Sequence, residues 1–129
     1  MAHPTGCPFC TLPEPRIVTR NSLAVVIRDA FPVSPGHTLI IPKRHMASFF
    51  DMTLDEREAV FGLLEEAKRQ RDVEFSPSAY NIGINDGAAD GQTVAHVHVH
   101  LIPRYKGDRS DPRGGVRLII PEKAKYWQS

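Results

Sequence analysis

The sequence predicts an α+β fold: an antiparallel sheet of about five strands, with one long helix and one short helix, in one domain spanning residues 1–129. Three observations carry this. Short apolar runs, several with period-two alternation, recur between glycine, proline and asparagine breaks, the mark of strands. One stretch, beginning at Thr53, has a helical period instead. And 129 residues fit one domain with one core.

In chain order, residues 1–15 read as an irregular lead containing Pro4, Pro8, Pro13 and Pro15. Ile17–Thr19 and Leu23–Ile27 read as two strands around a hairpin turn at Asn21-Ser22. The second run is nearly all apolar, as expected of a strand covered on both faces. Pro32, Pro35 and Gly36 punctuate a loop, and His37–Ile41 is a third strand stopped by Pro42. Met46–Met52 contains a short helical turn. Thr53-Leu54-Asp55-Glu56 is a capping box, so the long helix starts there. Val60, Leu63, Leu64 and Ala67 follow as one apolar stripe, Glu65 and Arg69 are placed for a surface ion pair, and fraying is expected near Val73. Ala79–Ile84 alternates as a fourth strand, and 85–91 is a loop of small residues. The strand carrying the histidines follows and ends at Pro103. After a charged segment, Val116–Ile120 reads as a short final strand.

The formal charge of +1 gives no field favouring nucleic acid or a membrane surface. No run of about 18 apolar residues is present to span a bilayer. Met1–Phe9 lacks the basic and apolar regions of a signal peptide, so a cytoplasmic location is expected. The two cysteines, Cys7 and Cys10, would close only a tiny loop as a disulfide. Pro13 and Pro15 block the helix that a thioredoxin-like redox pair needs after it. Metal-ligand spacing is the reading left for Cys7-x-x-Cys10, with two further ligands required for a tetrahedral site.

Three of the six histidines, His96, His98 and His100, stand at i, i+2, i+4. In a strand this puts all three imidazoles on one face, roughly 6.6 Å apart, with Val97, Val99 and Leu101 facing a core. Neutral imidazole is a good nucleophile near pH 7, and a ring nitrogen donating to a backbone carbonyl leaves the other as a fixed lone pair. His98, flanked by the other two, is the natural attacker. Asn85, Gln92 and Thr93 can donate through amide and hydroxyl groups, and Gly91 allows close backbone approach. As plain loop residues Asn85 and Gly91 would equally suit a turn.

His96–Ile102 resembles the His-φ-His-φ-His-φ-φ motif (φ apolar) of the histidine-triad (HIT) family of nucleotide hydrolases and transferases. The resemblance extends through Asp29, Pro35-Gly36-His37, Ile41-Pro42-Lys43, Asn85 and Gly91–Thr93, most of residues 7–104. His100 at the third position looks like the hydrolase side, and Gln92-Thr93-Val94 with Pro103-Arg104 is similar to diadenosine polyphosphate hydrolases. The resemblance implies that His98 attacks the α-phosphorus of a nucleotide, forming a nucleotidyl-histidine that water hydrolyses. It implies phosphate-binding roles for His37 and His100, a ribose contact for Asp29, and an apolar base slot at Phe9 and Ile27. Nucleoside phosphoramidase activity and a nucleotide-binding regulatory module with incidental hydrolysis are alternatives. It also implies structural zinc on Cys7, Cys10, His45 and His96. The alternative is free thiols, with His96 only orienting His98. The covalent step requires no cofactor. Pairing as a homodimer is implied, with a small nucleotide as the other partner.

Overall fold

The hairpin that opens the sheet is set by Asn21, whose Oδ1 accepts from the backbone N–H of Leu23 at 3.0 Å and of Ala24 at 2.9 Å. This side chain closes the turn between β1 (Ile17–Arg20) and β2 (Ala24–Arg28), a use to which asparagine is suited. Its amide donates to Ala59 O at 2.9 Å, tying the turn to the long helix. The computed structural model describes residues 6–128, so the first part of the irregular lead, residues 1–5, lies outside the described residues.

β3 (Thr38–Pro42), β4 (Ala79–Gly83) and β5 (Val99–Arg104) complete an antiparallel sheet in the order β1-β2-β3-β5-β4. β2 and β3 are buried on both faces. Ala24, Val26 and Ile40 point toward α1 (Leu54–Phe75) and meet Val60, Leu63, Ala67, Val99 and Leu101. Val25, Ile27, Leu39 and Ile41 point the other way, under Phe9, Leu12 and Ile17. Each aliphatic side chain fully buried here contributes about 1.5–3 kcal/mol.

The capping box forms as expected: the Glu56 N–H donates to Thr53 Oγ1 at 3.1 Å and the Thr53 N–H to Glu56 Oε1 at 2.9 Å. The expected fraying near Val73 does not occur. The helix runs to Phe75, because Glu74 accepts from Arg71 (2.8 Å) and Arg28 (2.6 Å), and Phe75 packs against the loop at Gly36. Gly36 has φ +88°, and a Cβ there would sit 2.8 Å from Phe75 Cδ2, so only glycine serves both needs. Ser76 in the left-handed region then ends the helix before Pro77. On the helix surface the i, i+4 ion pair that forms is Lys68–Asp72 rather than Glu65–Arg69. Arg71, almost fully buried, donates to Thr38 Oγ1 at 3.0 Å and joins α1 to β3.

Two strand expectations need correction. The histidine strand begins only at Val99: residues 94–98 bend away from the ladder, with the Val97 N–H donating to Met46 O at 2.8 Å. Residues Val116–Ile120 do not form a strand. Gly115–Ile119 is a 3₁₀ turn followed by the short helix α2 (Pro121–Ala124). Positive φ at Gly114 and Gly115 starts that turn, and Pro121 suits the first position of α2. The short helical turn expected within Met46–Met52 is present as Phe49–Asp51. Among the described residues, no helix is long and apolar enough to cross a membrane.

Candidate active site

The bend before β5 separates the three histidines into two settings. His96 is fully buried, whereas His98 and His100 are partly open. The expected single row of imidazoles therefore reduces to a pair: the rings of His98 and His100 lie 5.0 Å apart, and His96 turns to a different cluster.

Hydrogen bonds fix the proton on each ring. His98 Nδ1 lies 2.8 Å from the carbonyl of His96, so Nδ1 carries the proton and Nε2 presents a lone pair. The backbone of His96, not its ring, orients His98. The Val33 N–H donates to His37 Nδ1 at 3.1 Å, which leaves the His37 proton on Nε2. That Nε2–H faces His100 Nδ1 at 2.9 Å, with an Asp29 carboxylate oxygen at 3.4 Å. His100 Nδ1 therefore accepts, and its own proton sits on Nε2, a neutral donor. Burial pushes the His100 pKa down to about 4, with the neighbouring His98 and His37 acting the same way. Burial also lowers that of His37, partly offset by Asp29. A backbone amide thus sets the tautomers of two successive imidazoles. No residue-type signal could have revealed it, because any residue at position 33 except proline supplies that N–H.

Phe9 stands edge-on to His98 at 5.1 Å, and Ile27 lies fully buried in the cluster beneath it. Asp29 is anchored by accepting the Phe31 N–H at 2.8 Å. His37 is buried, with its Nε2–H directed at His100. Asn85 and Thr93 are exposed. Gly91 has φ +88° and closes the turn Ala88–Asp90. Gln92 is engaged at both ends: Oε1 accepts from the Gly87 N–H at 2.7 Å and Nε2 donates to Ala47 O at 2.8 Å. In this conformation it braces the loop before the triad. A cavity of about 710 Å³ opens next to His37 and His100, with Asn85 on its border.

 

The second cluster is compact. Cys7 Sγ lies 3.4 Å and Cys10 Sγ 3.5 Å from His96 Nδ1, and Cys10 Sγ lies 3.2 Å from His45 Nδ1. All four donor atoms fall within 4.8 Å of one another. A tetrahedron with Zn–S and Zn–N bonds of ordinary length has edges of roughly 3.5 Å, so these spacings fit. His96 Nε2 lies 2.8 Å from Pro42 O, so it carries the proton and Nδ1 offers its lone pair to the cluster. Without a metal, burial and the adjacent Cys7 push the Cys10 thiol up to about 11.

An antiparallel sheet bearing two hydrogen-bonded histidines beside a Cys₂His₂ cluster defines a class of α+β protein with an imidazole centre. The HIT domain pattern matches residues 13–107, and the chain belongs to the HIT family. It is 41% identical over 96 residues to the bis(5'-nucleosyl)-tetraphosphatase [asymmetrical] of Schizosaccharomyces pombe, covering 74% of this chain but only 53% of that protein. The crystal structure of a HIT family protein from Bacillus anthracis superposes with a TM-score of 0.72 at 34% identity, over 78% of this chain and 74% of the other. A Zn-bound histidine triad family protein from Mycobacterium smegmatis gives 0.67 at 31%, over 74% and 69%.

Proposed function

We propose that this protein hydrolyses dinucleoside polyphosphates of the diadenosine polyphosphate type at the α-phosphate, through a nucleotidyl intermediate on His98. The observation that carries the reading is the pair of opposed tautomers: a lone pair on His98 Nε2 beside a neutral donor on His100 Nε2. In the first step His98 Nε2 forms a bond to the α-phosphorus. The bond from phosphorus to the leaving polyphosphate oxygen breaks, and that oxygen departs as an anion carrying the bonding pair, stabilised by a hydrogen bond donated by His100 Nε2–H. Water then attacks the phosphorus, the bond from phosphorus to Nε2 breaks and returns the lone pair to His98, and the proton of the water passes to solvent. Phe9 flanks the base, Asp29 accepts from the ribose hydroxyls, and Asn85, Thr93, Gly91 and a reoriented Gln92 serve the phosphates. The tetraphosphatase relative supports the substrate class.

We read Cys7, Cys10, His45 and His96 as a structural zinc site, on the fit of the donor spacings and on the zinc-bound relative. Zinc there supplies cross-linking of the N-terminal segment to the triad rather than chemistry. Residues 1–129 are taken as one domain of a cytoplasmic homodimer, the open edge of β4 and the exposed Ile82 being available for pairing. The test is turnover of diadenosine tetraphosphate and adenosine 5′-phosphoramidate followed by phosphorus NMR. Cleavage of the dinucleotide to AMP and ATP, lost in His98→Ala, is expected; retained turnover in that variant would refute the mechanism.

A further inference from the structure

The cavity beside His100 has a structure of its own that the attack by His98 does not use. Alternation along β5 sends His100, Ile102 and Arg104 to one face. The β4 register sets Gly83 opposite His100 and Asn81 opposite Ile102. Gly83 brings no side chain, and a Cβ built there meets nothing within 4 Å, so the floor next to His100 is open. The turn Gly115–Ile119 forms the far wall through Val116 and Ile119, and the segment after β5 adds Tyr105 and Arg109. These walls are pinned. The Tyr105 hydroxyl donates to Pro35 O at 2.6 Å, and Arg104 donates to Asp108 and Asn81 at 2.7–2.8 Å.

We infer that this cavity is the half-site for the leaving group, holding the second nucleoside of a dinucleoside polyphosphate, and that the missing side chain of Gly83 admits it. The inference rests on the reading of His98 as nucleophile. Phe9, which stands against His98, and Ile27 of β2 do not line the cavity, whereas β4 and His100 do, and Asp29 meets the cavity only at its border through His37. An in-line displacement sends the leaving oxygen away from the attacking nitrogen, and His100, the donor to that oxygen, lines the cavity. The volume of about 710 Å³ suits a nucleoside; Ile102, Val116 and Ile119 offer apolar surface to a base, Arg109 is exposed for phosphates, and of the two lining carboxylates Asp108 is already paired with Arg104 and Asp90 accepts from the Asp86 N–H.

The φ of Gly83 is not positive, so Gly83→Leu introduces no left-handed strain and places its side chain in the open floor. kcat/KM is measured for diadenosine tetraphosphate, whose leaving group is ATP, and for adenosine 5′-phosphoramidate, whose leaving group is ammonia. The dinucleotide-to-phosphoramidate ratio is expected to fall by roughly tenfold or more, mainly through KM. Val116→Trp, which fills the cavity from the opposite wall, is expected to move the ratio the same way. An unchanged ratio in both folded variants, or an equal fall for both substrates, overturns the inference. If the unaltered protein cleaves neither compound, the nucleophile reading fails, and the cavity is tested by calorimetry with AMP and a methylene-bridged diadenosine tetraphosphate. Weakening of the second alone supports the half-site, and any other result overturns it.

Discussion

Replacing His37 by leucine removes the group that sets the His100 tautomer without touching His98. The bond lost is the 2.9 Å contact from His37 Nε2 to His100 Nδ1, made where both rings are at least partly buried. Leaving a buried acceptor unpaired costs about 1–3 kcal/mol, and the preference of His100 for the Nε2–H form is held by a similar amount. At about 1.4 kcal/mol per tenfold, kcat is expected to fall roughly 5- to 150-fold, with a smaller change in KM. His37→Gln, whose amide N–H reaches about the same place as Nε2, is expected to recover part of the loss. The assay pairs steady-state kinetics with long-range proton–nitrogen NMR of the imidazoles. His98 is expected as the Nδ1–H form, and His37 and His100 as Nε2–H forms. A His100 ring protonated at Nδ1 in the unaltered protein would refute the reasoning, as would an unchanged kcat in His37→Leu.

Glu56→Ala removes the partner of Arg44 and the return bond of the capping box, and is expected to destabilise the fold by about 1–3 kcal/mol in urea unfolding. The folded His100 holds its pKa near 4 against an ordinary 6.5, so the unfolded chain binds more protons between those values. Its contribution is fully present above pH 6.5 and is lost as pH falls toward 4, by up to roughly 3 kcal/mol. The stability of His100→Asn should therefore fall less steeply than that of the unaltered protein across this window. Zinc analysis is expected to find about one ion per chain, lost in His45→Ala, with a fall in melting temperature on chelation. A metal-free protein that melts at the same temperature would remove the zinc site from the account.

What could be read from the residues was what depends on local pattern. Thr53 and Glu56 announce the start of α1 because both partners of the capping box lie within one turn. The apolar run of β2 announces burial on both faces. The positions of Cys7, Cys10, His45 and His96 were legible only as a ligand set implied by resemblance, since the fold must bring together residues up to 89 apart in sequence. The failures also have physical causes. Residues 116–120 have strand composition, but a short apolar run does not decide its own conformation, and Gly114, Gly115 and Pro121 favour turns. A single histidine row requires a strand running through His96, whereas the Val97 amide bonds Met46 instead of a ladder partner, and the bend turns His96 inward.

The central claim is that His98 becomes covalently bonded to the α-phosphorus. Rapid mixing with diadenosine tetraphosphate, quenching, and mass spectrometry of peptides tests it most directly. The account predicts an adenylylated peptide bearing the modification on His98, formed and consumed at rates compatible with turnover. Turnover with no such adduct, together with solvent oxygen incorporated into AMP with inversion at phosphorus, would contradict it.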